Sequence, residues 1–163
     1  MNFDPVSICS ILNEEAVEYV VIGGLAAVVL GSPLPTEDID VVPSREQANL
    51  QRLSKALLRL NAKIRTDDEP VPALLDPTFL AQMSHILNLA TDFGMLDLTF
   101  SPAGPRADYL QWDEHASSEE IAQGLVIRVA SLDDIIDSKR AANRDKDIRA
   151  LPYLESLREV RDL

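Results

Sequence analysis

The chain has 163 residues, 46% hydrophobic and 26% charged, proportions that suit one compact domain with its own core and exclude a disordered chain. One cysteine, Cys9, excludes an intrachain disulfide, and two well-separated histidines, His85 and His115, exclude zinc-type ligand spacing. Fifteen Lys and Arg against 27 Asp and Glu give a net charge of -12, so nonspecific DNA binding is not expected unless a local basic patch overrides the field.

From the N-terminus, Pro5–Glu18 carries apolar residues at helical spacing. Its flank holds acids and no early Lys or Arg, unlike a signal peptide. The apolar runs Val20–Ile22 and Leu25–Leu30 are broken by Gly23-Gly24 and too short to span a bilayer. The expectation is a cytoplasmic protein without membrane contact. Tyr19–Ile22 is a buried strand and Leu25–Leu30 a short apolar helix, stopped by Pro33 and Pro35. Asp38–Val42 is a second strand closed by Pro43, and Ser44 caps a helix from Arg45 to about Asn61. Lys63–Pro77 reads as a loop with room for one strand. His85–Ala90 and Met95–Phe100 form a hairpin through Thr91-Asp92-Phe93-Gly94. Trp112–Gln123 fits helix and strand equally. Leu125–Val129 is a strand, and Ser131 with Asp134 starts a helix over Leu132–Ala142. A last helix covers Asp147–Leu163, although Pro152 is able to reset its start. The order predicts an α+β fold, a small mixed sheet with packed helices, in a single domain 1–163 with a core of about 1–100 and a helical C-terminal part of about 131–163.

Chemistry concentrates around VVIGGLAAVVLGSPLPTEDIDVV. A strand runs into Gly23-Gly24 and a helix starts at once, so the backbone can approach an anionic ligand closely and present free N–H groups. Asp38 and Asp40 are two apart on a strand and share a face. Two acids there repel unless one is protonated or a cation bridges them, and Mg²⁺, which also binds phosphates, resolves the clash. Asp97 lies mid-strand with Leu96, Leu98 and Phe100 on the opposite face. Burial without a partner would be costly. Either it joins a metal site with Asp38 and Asp40, or it is an edge acid facing water. Between Lys139 and Arg149, five basic residues against Asp145 and Asp147 leave a formal +3 island in an acidic chain, the kind of surface a triphosphate needs. Lys139 follows Ile135 by four positions and either points into a cleft or snorkels at the surface. Lys146 and Asp147 serve the ligand or simply start a helix. Thr36 is best read as a cap on the turn before Asp38. His85, His115 and Trp112 have no evident partners.

Gly-Gly, a short helix, Gly-Ser-Pro and then Thr-x-Asp-Ile-Asp resembles the signature of the nucleotidyltransferase superfold. Within it, the chain resembles small bacterial AbiEii-type toxins and minimal nucleotidyltransferases. Residues 17–42 carry the match, together with SLDDIIDSKRAANRDKDIRALPYL near the C-terminus, similar to the family's Lys-containing helix and Arg-x-Lys-Asp stretch. The resemblance implies that Asp38, Asp40 and Asp97 hold one or two Mg²⁺ ions and carry the chemistry. It implies that Gly23, Gly24, Lys139, Lys146 and Asp147 receive a nucleoside triphosphate. It also implies transfer of the nucleotidyl group to a hydroxyl on a protein or tRNA, within a toxin–antitoxin system with a small cognate partner protein. Two positions depart from the family: Leu34 stands where many relatives carry Arg, and Gly24 where many carry Ser. They motivate a second reading, a catalytically weak or inactive module of the same fold that binds nucleotide or a partner. The string Asp38-Ile39-Asp40-Val41-Val42 also fits haloacid-dehalogenase-type phosphatases, but those acids follow a long hydrophobic strand. Here a turn precedes Asp38, so that reading is set aside.

Overall fold

A computed structural model describes residues 2–163. Seven strands form one mixed sheet: β1 (Tyr19–Ile22), β2 (Asp38–Pro43), β3 (Lys63–Ile64), β4 (Ile86–Thr91), β5 (Gly94–Thr99), β6 (Ser117–Ala122) and β7 (Leu125–Val129). Their order is β3-β4-β5-β2-β1-β7-β6. β1 runs antiparallel to β2 and parallel to β7, and β2 runs parallel to β5. Hairpins β4–β5 and β6–β7 extend the two sides. Seven helices pack on it: α1 (Pro5–Glu14), α2 (Gly23–Val29), α3 (Gln47–Arg59), α4 (Pro77–Gln82), α5 (Tyr109–Glu114), α6 (Leu132–Ala142) and α7 (Asp145–Arg161). None of the described helices is long and apolar enough to cross a membrane.

Alternation on the central strands decides which face is apolar. Ile39, Val41, Leu96 and Leu98 are buried on one side, and β2 and β5 pair in register so that these residues align row by row. Ile8 and Leu12 of α1 and Leu50, Leu53 and Leu57 of α3 belong to the same buried core. One buried polar side chain is fully used at its edge. Asn49 accepts a hydrogen bond from the Glu18 N–H at 2.7 Å and donates to the carbonyls of Glu18 and Ser44 at 3.0 and 2.8 Å. It thus ties α3 to the chain entering β1 and to the end of β2, as a buried amide must be tied.

Several boundaries differ from expectation for identifiable reasons. α1 stops at Glu14 rather than Glu18 because the chain reverses through Ala16, which has φ 57°, before β1 begins. α3 begins at Gln47 rather than Arg45. Ser44 Oγ accepts from the Glu46 N–H, and Glu46 is extended, a local side-chain bond that competes with helix. The ambiguous stretch resolves into a short helix and a strand, α5 and β6. Pro152 does not reset α7, which starts at Asp145 and continues through it. That proline lies on the exposed side of the helix, where the carbonyl it leaves unbonded can meet water.

Candidate functional site

Sheet register builds the acidic wall. Asp40 of β2 is directly opposite Asp97 of β5 on one side and Ile22 of β1 on the other. Because β1 ends at Ile22, the next residue, Gly23, must pass beside Asp40. Its φ of +70° suits glycine, and any Cβ there would collide with Asp40 Oδ2. Asp38 shares the face two residues earlier. Carboxylate oxygens of Asp38, Asp40 and Asp97 lie within 4.8 Å of one another. Gly24 stands next in the turn, and a Cβ there would meet Thr36 Oγ1 at 3.1 Å. The Thr36 hydroxyl donates to the Asp38 carbonyl at 3.1 Å, the turn-capping role expected of it.

These acids repel one another in a poorly hydrated place. Burial, then the charges of Asp38 and Asp97, push the Asp40 carboxyl up to about 8, with Lys146 pulling the other way. Burial likewise raises Asp97, opposed chiefly by the Arg65 guanidinium. Arg65 Nη2 lies 3.2 Å from Asp97 Oδ1. Even so, Asp97 Oδ1 and Arg65 Nη1 are both buried without a hydrogen bond. A buried carboxylate oxygen with no hydrogen bond and two further carboxylates at hand is a donor set that suits a hard divalent cation.

Capping chemistry builds the opposing basic wall. Ser131 Oγ accepts from the Asp134 N–H at 3.1 Å to start α6. Asn143, at φ 52°, ends it in a left-handed turn, and α7 begins two residues later. Asp147 closes that start, accepting from the Arg144 N–H at 3.1 Å and from Arg144 Nε at 2.7 Å. Lys139 Nζ stands 3.6 Å from the same carboxylate. Burial alone would raise Asp147, but these Arg144 and Lys139 contacts hold it below the usual carboxylate range. The tight α6–α7 turn therefore carries Lys139, Arg144 and Lys146 to the cleft. Lys146 has no carboxylate within ion-pairing distance among the described residues.

Two cavities meet at the triad. One of about 580 Å³ is lined by Asp38, Asp40 and Asp97 and extends past Arg65, His85, Asn88 and Trp112. The other, of about 440 Å³, lies over Gly23, Gly24 and Thr36. Gly23, Asp38, Asp40, Lys139, Arg144 and Lys146 line both. All eight site residues expected from the sequence line this double cavity. Asp147 differs from the rest: its side chain is fully buried and turned onto its own helix start. Of the five-cation island, Arg140 pairs with Glu155 and Arg149 bonds the Asp145 carbonyl, and neither lines a cavity. Sequence reasoning missed Arg65, Asn88, His85 and Trp112. Asn88 was recoverable, because the β4–β5 hairpin pairs it with Asp97. Arg65 and Trp112 come from segments without a periodic signal.

No protein-family model and no curated protein matches the chain in sequence. Solved structures do. The lincosamide antibiotic adenylyltransferase LnuA, bound to lincomycin, aligns over 96% of this chain and 99% of its own, with a TM-score of 0.63 and 16% identity. ANT(2")-Ia in complex with adenylyl-2"-tobramycin aligns over 97% and 92%, with a TM-score of 0.59 and 15% identity. TM1012 of Thermotoga maritima, itself assigned to the nucleotidyltransferases, aligns over 97% and 90%, with a TM-score of 0.53 and 17% identity. At such identities the likeness establishes architecture, and the chain has the nucleotidyltransferase fold.

Proposed function

We propose that the protein is a Mg²⁺-dependent nucleotidyltransferase that moves a nucleoside monophosphate from a nucleoside triphosphate to an acceptor hydroxyl. The observation that carries this reading is the convergence of Asp38, Asp40 and Asp97 within 4.8 Å beside Gly23. Asp38, Asp40 and Asp97 would hold the metal, which when bound draws phosphate oxygens together and offsets the charge that develops during in-line displacement. The Gly23-Gly24 backbone would receive the phosphates over the second cavity. Lys139 and Lys146 would neutralise them from the other wall, and Asp147 would hold Lys139 and Arg144 in place for that task. The acceptor would enter through the first cavity. There Asp97 would orient its hydroxyl and take its proton as the new P–O bond forms and diphosphate leaves.

The adenylyltransferases of similar fold support this class of reaction. The sequence resemblance to AbiEii-type toxins suggests a protein or tRNA acceptor in the cytoplasm, a cognate partner protein and a chain that works as one domain. The volume of the first cavity favours a smaller acceptor. Leu34, at the wall of the second cavity, and the missing hydroxyl at Gly24 support the alternative of a binding module without turnover. Incubation with α-labelled Mg-ATP and Mg-CTP separates these readings. Metal-dependent label on any acceptor supports the enzyme. Nucleotide binding without transfer supports the module. No binding, or binding unchanged in Asp38→Ala/Asp40→Ala, defeats both.

A further inference from the structure

We propose that the acceptor taken by the first cavity is a small hydroxyl compound bearing a negatively charged group, a carboxylate or a phosphate, and not an amine-rich one. This rests on the assignment of that cavity to the acceptor. Outside the part shared with the nucleotide side, its walls carry two carboxylates, Asp97 and Asp147. Neither is free to receive an ammonium group. Asp147 is fully buried and held by Arg144 and Lys139. Asp97 belongs to the triad and faces Arg65. An amine entering here would lose its water and gain no counter-charge, which is unfavourable.

An anion meets the opposite situation. The Arg65 side chain keeps 26% of its surface exposed, and His85 is exposed at the same cavity. Asn88, Thr99 and Ser101 add neutral donors. Two further atoms point the same way. Among the described residues, the buried side-chain nitrogens without a hydrogen-bond partner are Arg65 Nη1 and Trp112 Nε1, and both residues line this cavity. Both atoms can only donate. The third buried atom without a partner, Asp97 Oδ1, lies 3.2 Å from Arg65 Nη2 and leaves both donors short of a hydrogen bond. Buried polar groups are normally satisfied, and an acceptor-rich group such as a carboxylate or phosphate would supply what Asp97 does not. The net charge of -12 acts against anions at long range. Salt screens that field beyond about 10 Å, and inside the cavity the nearby guanidinium decides.

Size-matched sugars test this. Glucose 6-phosphate, glucuronate, glucose and glucosamine are titrated by calorimetry into the protein, with and without Mg²⁺ and a non-hydrolysable ATP analogue. The expected result is binding of the two anionic sugars about tenfold or more tighter than glucose, with glucosamine weakest. The order of phosphate and carboxylate identifies which anion the wall prefers. Arg65→Gln should remove that advantage, bringing the anionic sugars to the level of glucose in the same protein. His85→Gln, away from the triad, should reduce it about two- to threefold. Glucosamine or tobramycin binding as tightly as the anions would overturn the inference, as would the absence of any anionic preference. Transfer of label only to protein or tRNA would overturn it as well. Failure of the ATP analogue to bind in the same experiment strikes the proposed function instead, because the charge preference is read in nucleotide-free protein too.

Discussion

The two walls of the cleft are held in place by different means. The acidic wall is fixed by strand pairing: Asp40 faces Asp97 because β2 and β5 run parallel in one register, and Gly23 abuts Asp40 because β1 ends there. A one-residue slip of β2 would turn Asp38 and Asp40 into the apolar core, and the same slip of β5 would turn Asp97 inward, so the register is strongly specified. The basic wall is fixed by helix ends. Lys139, Arg144 and Lys146 reach the cleft because Asn143 ends α6 and Asp147 caps α7. The sheet thus holds a costly like-charge cluster rigidly. The helical turn holds Lys139 and Arg144 through a single buried carboxylate, Asp147, and leaves Lys146 without a carboxylate partner among the described residues, so its cations lack the row-by-row support that a strand register gives. Substitutions in the sheet should therefore abolish chemistry while leaving a folded protein, and substitutions in the turn should graduate it.

The largest effect is expected for Asp38→Asn/Asp40→Asn. Transfer activity should fall at least about 10³-fold, the scale of several kcal/mol of lost charge stabilisation, with circular dichroism unchanged. Lys139→Met should cost about 10²-fold in kcat/KM, mostly through weaker nucleotide binding. A loss as large as that of the acid pair would erase the distinction between the walls.

Next comes pH. The folded-state carboxyls of Asp40 and Asp97 sit above their ordinary value, so the native state holds protons that the unfolded chain releases near pH 4. The stabilising contribution is present in acid and lost as pH rises through about 8 at Asp40. Metal-free protein should melt roughly 5 °C lower at pH 8.5 than at pH 5.5, and excess Mg²⁺ should remove most of that difference. A melting temperature that rises over this range without metal contradicts the like-charge account.

Gly23→Ala combines a left-handed φ with a collision at Asp40 and should destabilise by about 1–3 kcal/mol in denaturant titration. Ser131→Ala removes the α6 cap and should cost about 1 kcal/mol. It lies on the movable wall, so it should also weaken nucleotide binding slightly, whereas a cap substitution remote from the cleft, such as Asp76→Ala at α4, should not.

The same contrast explains what was legible in the sequence. Period-two alternation put Asp38 and Asp40 on one face and separated Asp97 from Leu96 and Leu98, and the glycine pair marked where the chain turns. The Ser131 start of α6 was equally readable, because its signal is local. Arg65 was not. It follows β3, a two-residue strand at the sheet edge, and its approach to Asp97 depends on pairing with β4, a long-range contact that no local pattern encodes. Trp112 sits on a six-residue helix too short for a periodic signal. The dual use of Asp147 was half visible. Its place near a helix start was clear, but the reach of Lys139 to the same carboxylate required the angle between α6 and α7.

The central claim is that three acids on two strands bind one kind of cation beside a glycine turn, and Mn²⁺ titration followed by electron paramagnetic resonance tests it most directly. The account predicts saturable Mn²⁺ binding that Mg²⁺ displaces, that Asp38→Asn/Asp40→Asn abolishes, and that Asp97→Asn weakens. Mn²⁺ binding of equal strength in all three proteins would contradict it.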